Sequence, residues 1–137
     1  MREPNPEKLN ALMGKLVNDL GVSLGGASIL LGDRLGLYKA MADGAPVTPS
    51  DLAKKSKLHE RYVREWLSGQ AASGYIDYDT EKDAFSLTPE QAMAFAEEDS
   101  PAFFAGAFDV VQSIFLVEPK VADAFRTGKG VGWHEHS

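Results

Sequence analysis

Thr48 to Leu87, TPSDLAKKSKLHERYVREWLSGQAASGYIDYDTEKDAFSL, decides the fold. It opens on a helix start: Thr48 offers a capping hydroxyl, Pro49 suits the first helical position, and Asp51 sets an acid at the positive end. A short helix is predicted over Ser50 to Lys55, ending near Ser56-Lys57. A second runs from about His59 to Ser73, with Tyr62, Val63, Trp66, Leu67 and Ala71 on its apolar side and Gly74 as its stop. Two helices joined this tightly form a helix-turn-helix. Tyr75 to Tyr78 then alternates as a strand does, Asp79 to Asp83 is turn chemistry, and Ala84 to Leu87 is the return strand. A helix-turn-helix followed directly by a hairpin is a winged helix. The fold class is therefore read as mainly α, with a β-hairpin wing and extra apolar helices on both sides.

Upstream, Asn5 can cap a first helix, Pro6 fits its first position and Glu7 favours its positive end. Leu9, Leu12, Met13, Leu16, Val17 and Leu20 follow at helical spacing, and Gly21 reads as the stop. The segment from Val22 to Gly32 has no polar face: Leu24, Ala27, Ile29, Leu30 and Leu31 surround it, and a helix apolar all round must be buried against something. Gly36 reads as a break before Leu37 to Met41. Downstream, Thr88 to Gln91 repeats the capped start for a short helix to about Ala96. Ser100-Pro101 opens another, running from Phe103 to Val117 with Asp109 as its one charge. Pro119 is expected to interrupt it, leaving a last helix from Lys120 to Thr127 that stops at Gly128. Three blocks result: helices over 1–47, the winged helix over 48–88, and helices with a linker over 89–137.

Composition bounds the chemistry. The 137 residues include no cysteine, which excludes a disulfide scaffold, Cys-bound zinc and a catalytic thiol. A chain of this size buries roughly 68% of its unfolded surface, enough for a core without staples. Twenty acids against 14 bases give a net charge of −6, which argues against bulk binding to nucleic acid or an anionic membrane. Met1 to Lys8 is polar and holds no signal core, and the longest uncharged stretch, Gly21 to Gly32, falls short of the roughly 18 apolar residues of a membrane span. A cytoplasmic location is expected.

The charge is unevenly placed. Residues 51–74 carry Lys54, Lys55, Lys57, Arg61 and Arg64 against three acids, net +2. Residues 75–100 carry only Lys82 against eight acids, net −7. A DNA-binding wing lies beside phosphates, so an acidic wing loses affinity there. The winged helix is read as a scaffold, with a DNA-binding transcriptional regulator as the alternative and a small-ligand module as a third possibility.

Other motifs fail on context. Gly128 to Gly132 looks like a glycine-rich nucleotide loop, yet it follows a helix rather than a strand and leads into no readable helix. His134 and His136 could share a strand face, but a metal site needs a third protein ligand and none is evident. No Ser-His-Asp set, carboxylate pair or P-loop is recognisable, so no catalytic or metal-binding residue is expected. The apolar helices exceed what a small winged helix needs. Leu24, Ile29, Leu30, Phe103, Phe104, Phe108, Val111, Ile114 and Phe115 are the candidate interface, for a homodimer or a second domain, although the aromatic set could equally line a core.

The stretches LGDRLGLYKAMADG (31–44), LAKKSKLHERYVREWLSGQAASGYIDYD (52–79), LTPEQAMAF (87–95) and AFRTGKGVGWHEH (124–136) resemble the N-terminal region of two-domain SAM-dependent methyltransferases that carry a winged helix. The resemblance covers about Gly25 to His136 and is most specific at Tyr62 to Leu67 and Thr127 to Trp133. It implies a non-catalytic region that dimerises and covers the pocket of a small-molecule substrate. SAM is implied only for a Rossmann-like catalytic domain of the same polypeptide, before which this sequence stops. No SAM-binding or methyl-transferring residue carries over, and the loop at Gly128 falls in the linker region.

Overall fold

The computed structural model describes residues 3–136; Met1 and Arg2, counted above in the polar opening, and Ser137 lie outside them. It is mainly α, with a winged helix at its centre. Helix α1 spans Pro6–Arg34, α2 Leu37–Ala40, α3 Pro49–Ser56, α4 Glu60–Ala72, α5 Pro89–Phe95 and α6 Ala107–Thr127. Strands β1 (Asp77–Asp79) and β2 (Ala84–Ser86) form the wing.

Helix α1 corrects the expected break at Gly21. It is one helix of 29 residues, started by Asn5, whose side chain accepts from the Lys8 N–H at 3.1 Å. A glycine costs a helix only about 1 kcal/mol relative to alanine. At Gly21 the apolar period keeps its phase, since Leu20, Leu24, Ala27 and Leu31 continue the face begun at Leu9. The break comes instead at Gly36, whose φ of 67° suits glycine and turns the chain into α2.

The helix-turn-helix is α3–α4. The Thr48 hydroxyl accepts from the Asp51 N–H at 3.2 Å, and Lys57 closes α3 in the left-handed region at φ 57°. Leu52, Val63 and Leu67 face inward into one core with Leu37 and Tyr38 of α2 and with Met41 just after it. Helix α1 enters this core at Ile29 and at Gly32, where a Cβ would lie 2.3 Å from Trp66 Cζ2 and 2.7 Å from Tyr38 Cε2. Only glycine fits there.

The wing starts two residues later than the alternation predicts. Gly74 adopts φ 76° and the Tyr75 N–H donates to the Gln70 carbonyl at 3.0 Å, so Tyr75 finishes α4 rather than opening a strand. β1 and β2 pair antiparallel with Tyr78 opposite Phe85. Val47 and Phe85 exchange backbone hydrogen bonds of 2.8 and 2.9 Å, which ties the wing to the chain entering α3.

The C-terminal helices depart twice from expectation. Helix α5 has its capping box, Thr88 with Gln91. Helix α6, however, begins at Ala107 and not at Pro101. The Phe104 and Ala105 N–H groups donate to the Ala94 carbonyl at 2.9 and 3.3 Å, so this stretch folds back on α5 instead of continuing into a helix. Pro119 does not interrupt α6. The carbonyl that loses its donor belongs to exposed Phe115, where water can replace the missing bond.

Candidate apolar interface on the two long helices

Every residue from Glu3 to Leu24 is exposed, so the first two-thirds of α1 stand clear of the core as an arm. Leu9, Leu12, Met13, Leu16, Leu20 and Leu24 recur along one face of it, each about half to two-thirds exposed. Lys8, Lys15 and Asp19 hold the other side, the latter two as an ion pair of 2.6 Å. The second half of α1 packs on α6, with Gly26 permitting the approach: a Cβ there would lie 3.0 Å from the Phe108 ring.

Beside that contact lies an open groove of about 280 Å³, walled by Ala27, Leu30 and Leu31 from α1 and Phe108, Val111 and Phe115 from α6. Its polar rim is Arg34, which donates to Asp109 at 2.5 Å and to Gln112 at 2.7 Å. Both charged side chains are half exposed, so the pair orients α6 more than it stabilises it.

The candidate residues separate on this map. Leu24, Phe104, Val111, Ile114 and Phe115 lie on the surface. Ile29, at 2% exposure, belongs to the core, while Leu30, at 7%, turns its small exposed edge to the groove wall. Phe103 and Phe108 are half-buried and pack against the core. The arm from Leu9 to Leu20 and the exposed Val110 and Leu116 were not among the candidates. The signal was present in the unbroken phase across Gly21.

The helix-turn-helix face is electrostatically divided. Lys55 donates to the Ala40 carbonyl, and Arg64 pairs with Asp83 of the wing at 3.2 Å and more loosely with Glu60 at 3.9 Å. Lys54, Lys57 and Arg61 are exposed. On the wing, Asp79 is held below the usual carboxylate range by the Lys82 backbone N–H first and that of Glu81 besides.

Two amides of the glycine run at 128–132 are already engaged within the chain. Gly128 ends α6 at φ 74°, and the Gly132 N–H already donates to the Glu135 carboxylate at 2.8 Å within a single 3-10 turn, Trp133–Glu135. An amide spent on a carboxylate is not a cradle for another anion. Among the described residues no group of three or more side chains could hold a metal, and no helix is long and apolar enough to cross a membrane.

Comparison with known proteins agrees with this architecture. A family model described as the Rv2258c-like winged HTH domain matches residues 24–97. A search of curated proteins found no match. Among solved structures, an O-methyltransferase-like protein of Nostoc punctiforme is 21% identical over 94% of this chain and 36% of its own, with a TM-score of 0.63. The mitomycin 7-O-methyltransferase MmcR is 21% identical over 90% of this chain and 37% of its own, with a TM-score of 0.66. CalO1, a methyltransferase in calicheamicin biosynthesis solved with SAH bound, is 18% identical over 94% and 37%, with a TM-score of 0.67. The chain spans little more than a third of the length of each of these proteins, and at such identities the likeness is one of fold.

Proposed function

The chain belongs to the Rv2258c-like winged HTH domain family, and from that premise we propose that it is the dimerising and substrate-capping N-terminal part of a SAM-dependent methyltransferase acting on a small molecule. In this reading methyl transfer and SAM binding belong to a Rossmann-like catalytic domain of the same polypeptide, located in the cytoplasm. The observation that carries it is the apolar surface left uncovered side by side on α1 and α6. Exposed apolar patches of this extent mark interaction sites on folded proteins. A cap of this kind acts on the reaction indirectly, by excluding water and by holding the acceptor in an attacking orientation.

Light scattering over a dilution series tests the reading. A dimer is expected, and a monomer at every concentration would overturn it. Titration calorimetry with SAM should give no binding heat on this chain; a tight site would refute the assignment of the chemistry to another domain.

A DNA-binding regulator is the second reading, favoured by the exposed Lys54, Lys57 and Arg61, which make no ion pair among the described residues. The acidic wing opposes it. A gel shift at low salt separates the two, because phosphate contacts give a steep loss of affinity with salt. Such binding would replace the capping role.

A further inference from the structure

We propose that a cup at the start of α4 binds a small, flat, uncharged molecule of two or three fused rings that carries one hydrogen-bonding group. The cup shares only Leu31 with the α1–α6 groove, and the proposal rests on neither the dimer nor the capping reading. Its volume is about 390 Å³, toward the small end of the ~300–1,000 Å³ that small-molecule pockets enclose. Leu37, Val63 and Trp66 line it while being buried themselves, so they form its floor. Leu31 and Leu35 at the end of α1, with Leu58 in the helix-turn-helix turn, form its sides. His59 and Tyr62 stand exposed at the mouth, their rings edge to face with centroids 5.7 Å apart.

The chemistry of the lining selects the occupant. No Asp, Glu, Lys or Arg lines the cup, and the indole N–H of Trp66 is already given to the Ser28 carbonyl at 3.0 Å. An ion entering it would give up its water for nothing, which excludes a charged guest. Trp66 below and Tyr62 beside offer ring surfaces that suit a flat aromatic body. His59 heads α4 without spending its side chain on a capping bond, which leaves its imidazole for one polar group of the guest. A helix docked here would need the apolar surface to run on, because such partners seat a row of anchors along a groove. Along α4 it does not run on: Glu60, Arg61, Arg64 and Glu65 are exposed around Tyr62, and exposed Lys57 flanks the turn. A single ring-lined cup with a polar surround fits a compact molecule.

The floor supplies its own reporter. The chain has two tryptophans, and Trp133 is 80% exposed, so Trp133→Phe leaves Trp66 as the single indole without disturbing the core. In that background 2-naphthol is titrated at neutral pH while the indole N–H of Trp66 is followed by two-dimensional NMR. A saturable shift is expected, and naphthalene-2-sulfonate, the same rings with a fixed charge, should bind at least about ten-fold more weakly. Tyr62→Ala removes a wall at an exposed position and should weaken 2-naphthol by about ten-fold with the melting temperature retained. His59→Ala should weaken it by about five-fold, the worth of one hydrogen bond. No saturable shift up to the solubility of the probe, equal binding of the sulfonate, or unchanged affinity in either variant would overturn the proposal. So would a fall in oligomeric state on Tyr62→Ala by light scattering, because the cup would then hold a side chain of another copy.

Discussion

The Tyr38 hydroxyl donates to Gln70 Oε1 at 2.5 Å, and both side chains are buried in the centre of the winged helix. Gln70 passes the link on, donating from Nε2 to the Ser28 hydroxyl at 2.9 Å, while Trp66 Nε1 donates to the Ser28 carbonyl at 3.0 Å. One polar chain thus joins α2, α4 and α1. Burial pushes the Tyr38 phenol far above its ordinary pKa, so it stays a donor at every working pH.

Removing one end of that pair should cost more than removing both. Tyr38→Phe leaves the Gln70 oxygen buried without a donor, a loss of about 1–3 kcal/mol. Gln70→Leu strands the phenol in the same way. The double variant should be less destabilised than the two single losses added together, as measured by urea unfolding at fixed m-value. Strict additivity would show that the bond contributes nothing.

Gly32→Ala is expected to be among the most damaging changes in α1, against the usual rule that alanine favours helices. The new methyl would sit 2.3 Å from Trp66 Cζ2 and 2.7 Å from Tyr38 Cε2, two rings that are themselves buried in the core. Overpacking of this kind costs about 1–3 kcal/mol. Gly14→Ala meets nothing within 4 Å and should instead raise the melting temperature slightly, by the ~1 kcal/mol difference in propensity. Equal responses from the two variants would contradict the packing described here.

Asp33 gives a pH-dependent prediction. Loss of water raises its carboxyl pKa first, Asp109 and Glu98 add to this, and Lys39 and Arg34 oppose it. The folded chain therefore holds the proton more tightly than the unfolded chain does. The resulting penalty is fully present above the raised pKa, shrinks as the pH falls through it, and vanishes below the ordinary carboxylate value, where both states are protonated. Asp33→Asn should raise the melting temperature at neutral pH, and the gain should fade in acid. Thermal melts of both proteins across that range check it, and a gain that grows in acid would reverse the assigned sign.

Local chemistry was legible and long-range competition was not. Thr48, Thr88 and Asn5 cap helices as their sequence context requires, because each bond spans three residues. Gly21 and Pro119 misled for a common reason: a single weak position does not end a helix whose face remains in phase around it. The start of α6 was beyond local reading, since the competitor that holds Phe104 and Ala105 is the Ala94 carbonyl, about ten residues back. At the candidate interface, hydrophobicity alone could not tell Ile29 from Leu31. Two positions apart on one helix, the first faces the core and the second the groove.

The unbroken course of α1 also makes it a lever. Its fulcrum is the tight seat of Gly32 against Trp66 and Tyr38. From Gly32 to its tip at Pro6 the helix runs about 39 Å at 1.5 Å per residue, so a tilt of ~10° at the seat would swing that tip by about 7 Å. A change of ring packing too small to notice in the core would then be read out at the far end as a displacement the width of a side chain.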